Sequence, residues 1–198
     1  MNPQTRTATV ERKTGETDIL LTLTLDGAGT SDVRTGIPFF DHMLTLFARH
    51  GLLNLTVAAK GDIEVDYHHT VEDTGIALGQ ALARALGDKA GIRRYGHAYV
   101  PMDEALVRAV VDCSGRPFLA YEAPRGVEAI GLFPFQLVEE FLRAVAVNAG
   151  LTLHVSVLAG RDAHHMAEGV FKALGRAIDA AVTIDGRVSG IPSTKGVL

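Results

Sequence analysis

The chain has 198 residues, a formal net charge of −4 and 47% hydrophobic residues with no tryptophan, so it is long enough to bury a real core and lacks the basic footprint that nucleic-acid binding requires. Its one cysteine, Cys113, rules out an internal disulfide framework and suits a reducing, cytoplasmic setting. No run approaches the roughly 18 apolar residues of a membrane span, and residues 1–6 lack the apolar core of a signal peptide.

Alternation of apolar with polar residues predicts strands over 7–12 and 18–25, joined through Thr14-Gly15-Glu16. Asp26-Gly27-Ala28-Gly29 is a turn. Phe40, Met43, Leu44 and Phe47 recur at helical spacing, which predicts a helix over 39–50 with Pro38 in its first turn and Gly51 as its stop. A strand over 52–59, a turn at Lys60-Gly61-Asp62 and a short strand over 63–66 then lead into a helix ending near Leu86. Residues 87–94 are polar, glycine-containing and aperiodic, and they divide the chain into halves 1–91 and 92–198 that together make one globular unit.

Beyond that connector the order recurs. Strands are expected over 95–100 and 105–112, a turn at Asp112-Cys113-Ser114-Gly115, a helix over 135–149 ended by Gly150, a strand over 151–158, and a helix from Asp162 to about Val182. The recurrence extends to residues: at an offset of 96, Asp66, His68, His69, Glu72, Ala77, Leu78, Gly79 and Ala81 meet Asp162, His164, His165, Glu168, Ala173, Leu174, Gly175 and Ala177. We read an internal duplication of an α/β half, the two halves packing their sheets and helices together.

The duplicated stretch carries the chemistry. If each copy opens a helix, its aspartate caps the start, and histidine and glutamate four residues apart share one face. Adjacent histidines diverge by roughly 100°, so His68 and His69 do not readily serve one ion, and two such helices point to two metals. Adding His42 and His154 to the four paired histidines gives six imidazoles and, with Glu72 and Glu168, two carboxylates: three nitrogens and one oxygen per ion, with positions left open as a catalytic site needs. Alone, His154 reads as a core histidine, and His50 and His97 as ordinary helix-end and strand residues. Cys113 reads as a small core or turn residue. Anion candidates are Arg93-Arg94, Arg116 in Ser114-Gly115-Arg116-Pro117, and Ser193-Thr194-Lys195-Gly196, each pairing a cation with small residues.

Five segments, Thr35-Gly36-Ile37-Pro38-Phe39-Phe40-Asp41-His42-Met43-Leu44, His68-His69-Thr70-Val71-Glu72-Asp73-Thr74-Gly75, Ser114-Gly115-Arg116-Pro117, His164-His165-Met166-Ala167-Glu168 and Ile191-Pro192-Ser193-Thr194-Lys195-Gly196-Val197-Leu198, closely resemble the imidazoleglycerol-phosphate dehydratase family. The resemblance runs from about Arg6 to Leu198. It implies a duplicated α/β sandwich of the ribosomal-protein-S5-domain-2-like type. It also implies a lyase of histidine biosynthesis, dependent on two Mn²⁺ per active site, that removes water from D-erythro-imidazole-glycerol phosphate to give imidazole-acetol phosphate. The family assembles into a cubic 24-mer with sites between subunits. Its metal positions fall on His42, His68, His69, Glu72, His154, His164, His165 and Glu168, and its substrate positions on Glu16, Arg94, Arg116, Ser193 and Lys195. Asp162 stands where the family often has asparagine, and either side chain can cap the helix.

The implied reaction suits two metals. The proton to be lost sits on a hydroxyl-bearing carbon with no neighbouring carbonyl, and a ring held as imidazolate can expel the adjacent hydroxide. Glu16 is the favoured carboxylate for moving that proton, Asp103 the second candidate, and Glu72 and Glu168 are the glutamates at the metals. Two alternatives use the same residues: a dinuclear hydrolase, and a non-enzymatic metal-binding assembly.

Overall fold

Apolar alternation becomes two four-stranded sheets. In the computed structural model, which describes residues 6–198, β1 (Thr7–Lys13), β2 (Thr17–Thr24), β3 (Ser31–Arg34) and β4 (Asn54–Gly61) lie in the order β1-β2-β4-β3. β5 (Tyr95–Met102), β6 (Ala105–Asp112), β7 (Phe118–Glu122) and β8 (Thr152–Ala159) repeat it as β5-β6-β8-β7. In each sheet the first two pairings are antiparallel and the last is parallel. The leader reading falls largely on residues 1–5, which lie outside the described residues. Among the described residues no helix is long and apolar enough to cross a membrane.

Four helices fill the space between the sheets: α1 (Pro38–His50), α2 (His68–Leu86), α3 (Leu137–Ala149) and α4 (Ala163–Val182). α2 packs on β1 and β2 and against α3, while α4 packs on β5 and β6 and against α1. The layers therefore run sheet, helix pair, helix pair, sheet, and one face of each sheet is left open. The buried core lies on the inner faces, where Leu21, Leu23, Val57, Val107, Val111 and Leu153 are all at most 1% exposed.

The Ala-Leu-Gly repeat has a packing cause. A Cβ added at Gly79 would stand 2.8 Å from Val145 O of α3, and one at Gly175 would stand 2.5 Å from Phe47 O of α1. Each glycine lets one helix backbone lie directly on its neighbour's. Phe40, Phe141 and Phe171 fill the centre, with ring centroids 5.4 Å apart for Phe40 and Phe141 and 5.1 Å for Phe141 and Phe171.

Two local expectations are corrected, and two strands are added. Residues 63–66 form a turn, not a strand: Val65 N donates to Asp62 O at 2.8 Å, and both Ile63 and Val65 are exposed, so the alternation has no face to bury. β4 runs through Lys60 and Gly61 instead of turning there. β3 and β7 escaped notice because they are four- and five-residue edge strands with little burial.

Overpacking a contact of this kind costs about 1–3 kcal/mol. Gly175→Ala is expected to lower unfolding free energy by an amount of that order in chemical denaturation. Gly186→Ala, where an added Cβ meets nothing within 4 Å, is expected to leave it nearly unchanged.

Candidate metal centre

The approach of α1 to α4 assembles the first cluster. The Asp41 carboxylate accepts from Thr35 N at 2.8 Å and from Thr35 Oγ1, folding the Thr35–Pro38 loop onto the first turn of α1 and fixing where His42 emerges. At the start of α4, Asp162 Oδ1 accepts from His164 N at 2.7 Å and His165 N at 3.3 Å. His42 Nε2 and His164 Nε2 then lie 2.9 and 3.0 Å from the same oxygen, Glu168 Oε1. Phe39 meets the His164 ring edge-on at 5.2 Å. Among the described residues, these three bring one ligand atom each within 4.8 Å of one another.

Glu168 is buried, yet Lys172 donates to its other oxygen. Burial pushes the carboxyl upward, but Lys172, His42 and His164 together outweigh it and hold the acid at about 2. The group stays ionised, as a ligand must.

The first copy of the motif is more open. Asp66 accepts from His68 N at 2.7 Å, but Tyr67 takes the capping position of α2 and has no side-chain cap bond, so the match to Asp162 is partial. His68 Nε2 stands 3.7 Å from Glu72 Oε2 on the same helix face. His69 turns away, its ring nearly perpendicular to that of His68.

The second histidine of each pair has a carboxylate behind it. His69 Nδ1 is 3.0 Å from Asp62 Oδ2, and His165 Nδ1 is 2.8 Å from Glu104 Oε2. A carboxylate at Nδ1 fixes the tautomer and turns Nε2 outward as a ligand atom. Asp62 raises the pKa of His69 and Glu104 that of His165, while the bond from His165, with those from Asp162 N and Arg161 N, holds Glu104 at about 2. Each hairpin tip adds an acid near Nε2: Glu16 Oε1 is 3.7 Å from His69, and Asp103 Oδ2 is 3.8 Å from His165. Sequence reading gave Asp62 and Glu104 no role. The signal available was an acid at the end of β4 and one at the hairpin before β6.

His154 does not join these groups within one chain. It is exposed on β8 between buried Leu153 and Val155, so it faces away from the helices, in a row with His97, Val110 and Ala120. The next row of that face holds Tyr95, Asp112, Thr152 and Phe118. Arg94 forks onto Asp112 at 2.7 and 3.2 Å, donates to Pro192 O at 3.0 Å and lies 4.8 Å from the Tyr95 ring centroid. The Asp112 bond raises its pKa further. Arg116 is 3.8 Å from Asp112, and Ser193 Oγ accepts from Lys195 N at 3.2 Å in the tail held by Arg94. The anion candidates thus collect at one end of the outer face that carries His154, while the other metal candidates line the helix starts.

Imidazole nitrogens and carboxylate oxygens in this ratio fit a first-row divalent ion. Fold and site together define a duplicated α/β protein with paired imidazole–carboxylate clusters at the starts of equivalent helices. The imidazoleglycerol-phosphate dehydratase family model matches residues 35–178, which hold all eight metal candidates with Arg94 and Arg116. The chain is 63% identical over 195 residues to imidazoleglycerol-phosphate dehydratase of Moorella thermoacetica, covering 98% of each chain. It is 61% identical over 193 residues to that of Thermoanaerobacter pseudethanolicus, covering 98% of this chain and all of the relative. The crystal structure of the Staphylococcus aureus enzyme superposes with a TM-score of 0.82 at 42% identity, over 90% of this chain and 99% of that one. The Pyrococcus furiosus structure also gives 0.82, at 36% identity, over 96% and 100%. The chain belongs to the imidazoleglycerol-phosphate dehydratase family.

The pair His165–Glu104 sets a pH window. Glu104 sits below its usual 4.5, so its contribution is present above that pH and is lost as pH falls toward 2. His165 sits above its usual 6.5, so its contribution is present below 6.5 and is lost as pH rises past the raised value. In chelator, Glu104→Gln is expected to lower Tm most between pH 4.5 and 6.5, with a smaller deficit at pH 9, as read by a thermal-shift series.

Proposed function

We infer that this chain is a hydro-lyase of histidine biosynthesis that dehydrates imidazole-glycerol phosphate to imidazole-acetol phosphate. The observation that carries the reading is the convergence of His42 and His164 on an ionised Glu168, beside two histidines whose Nδ1 atoms are backed by carboxylates. Two Mn²⁺ ions would be held by His42, His68, His69, Glu72, His154, His164, His165 and Glu168. Bound there, they would supply Lewis acidity toward the imidazole ring of the substrate.

The remaining tasks belong to side chains. Glu16 accepts the carbon-bound proton: its carboxylate is half-exposed and stands beyond hydrogen-bond length from His69. Asp103, at the other hairpin, is the second candidate. Arg94, Arg116, Ser193 and Lys195 anchor the phosphate, and remote binding energy of this kind orients the reacting end. Arg94 is already committed to Asp112 and the tail, so it organises the anchor, while exposed Arg116 and Lys195 offer charge.

His154 faces away from the helix-start ligands, which supports sites completed between copies and an assembly such as the 24-mer. Leu20, Tyr99, Val110, Phe118 and Leu158 give the open sheet faces apolar area for such contacts. A cytoplasmic setting fits the buried Cys113 thiol, which burial pushes up to about 12 and keeps unreactive.

Metal-stripped protein is expected to form no product and to regain turnover with Mn²⁺, with His68→Ala failing to recover. No product at any metal loading, with turnover of phosphate esters instead, would favour the hydrolase. Glu16→Gln is expected to retain metal and lose kcat by about 10²–10⁴-fold. Lys195→Ala is expected to raise KM, and an unchanged KM would remove it from the anchor.

A further inference from the structure

A buried polar lock ties the hairpin that carries Glu16 to the helix that carries His68, His69 and Glu72. Asp73, one residue beyond Glu72, is 5% exposed, and its carboxylate accepts from Arg12 Nη2 at 2.7 Å and from Thr17 Oγ1 at 2.5 Å. Thr17 is itself 4% exposed. Arg12 and Thr17 flank the hairpin turn, one on β1 and the other opening β2. Inside the turn, Thr14 Oγ1 accepts from Glu16 N at 3.1 Å and Thr17 N at 3.0 Å, and Asp62 N donates to Glu16 O at 3.2 Å. The backbone of Glu16 is thereby fixed from both sides, while its side chain remains half-exposed.

The second half shows what this arrangement is for. By strand register, Arg12, Glu16 and Thr17 correspond to Val100, Glu104 and Ala105, and by the helix repeat Asp73 corresponds to Gly169. All three members of the lock are apolar or absent there, so packing of this fold does not need it. A buried ion pair is often no more stabilising than apolar residues of similar volume, which makes stability alone a poor reason to keep one. The second hairpin is pinned by its own acid: Glu104 accepts from Arg161 N and Asp162 N and backs His165. In the first half Asp62 takes over the backing of His69, and Asp73 takes over the pinning.

We propose that Asp73, acting through Thr17 and Arg12, is a positioning residue that holds the Glu16 carboxylate over the Nε2 side of His69, at the place where the substrate proton is lost. This rests on the reading of Glu16 as the proton acceptor. The lock leaves Glu16 without a structural duty, so its carboxylate can reach substrate while its backbone cannot drift.

The test is steady-state kinetics with metal analysis on the Mn²⁺-loaded protein. Thr17→Val keeps the shape and removes the hydroxyl; it is expected to lower kcat at least about tenfold with metal content retained and KM little changed. Thr17→Ser should restore kcat, and Asp73→Asn should reproduce the loss. The decisive arm is the Glu16→Gln background, where Thr17→Val should lower the residual rate no further. A structural role would persist there. Wild-type kcat in Thr17→Val, or an undiminished loss in the Glu16→Gln background, overturns the proposal while leaving Glu16 as acceptor. Full kcat in Glu16→Gln alone overturns the reading of Glu16 and the proposal with it.

Discussion

Backbone contact between α4 and α1 is the constraint on which the site depends. With only a hydrogen at Gly175, the Phe47 carbonyl lies against the α4 backbone, where a Cβ would approach to 2.5 Å. That closeness puts the first turn of α1 beside the first two turns of α4, and it is why two nitrogens from elements far apart in sequence meet one Glu168 oxygen. A side chain at 175 would require the α1 and α4 backbones to shift, on the same packing contact that sets His42 beside Glu168. Packing and chemistry share this single contact.

The duplication is faithful in fold and uneven in ligands. α2 meets α3 through Gly75 and Gly79 much as α4 meets α1 through Gly175, yet α3 brings phenylalanine and alanine to the crossing and no histidine. His68 and Glu72 therefore lack the third donor that His42 provides to the other pair. His154 has the converse difficulty: it is a donor on an outer sheet face and, among the described residues, joins no cluster of potential ligands. A second copy that seats its helix starts against that face would answer both, and would bring the anchors around Asp112 to the same place. This is the physical argument for the proposed shared sites.

Much of this was legible in the sequence because it is local or periodic. The HHxxE repeat, the Ala-Leu-Gly faces and the longer strands announce themselves within a window of a few turns. Six candidate imidazoles could be counted there too, of which the structure brings His42 and His164 together on Glu168. What sequence could not divide was their allegiance, since period-two alternation does not say which face of β8 meets the helices. The carboxylates behind His69 and His165 were hidden for another reason: Glu104 and His165 are 61 residues apart, and their contact exists only once a hairpin tip folds over a helix start. The short parallel strands β3 and β7 gave too few residues for any pattern to show, whereas 63–66 gave a pattern with nothing to pack against.

The same hairpin position has been put to two uses. In the second half the acid at the tip, Glu104, accepts two backbone N–H groups and backs His165, so it is ionised, oriented and fully occupied. A carboxylate so engaged is a poor proton acceptor, because the bonds that hold Glu104 at about 2 also weaken its basicity. In the first half those duties are divided among Asp62 and Asp73, and Glu16 is spared them. The structural acid and the proposed proton acceptor occupy one place in a repeated hairpin, and the number of hydrogen bonds each carboxylate accepts separates them.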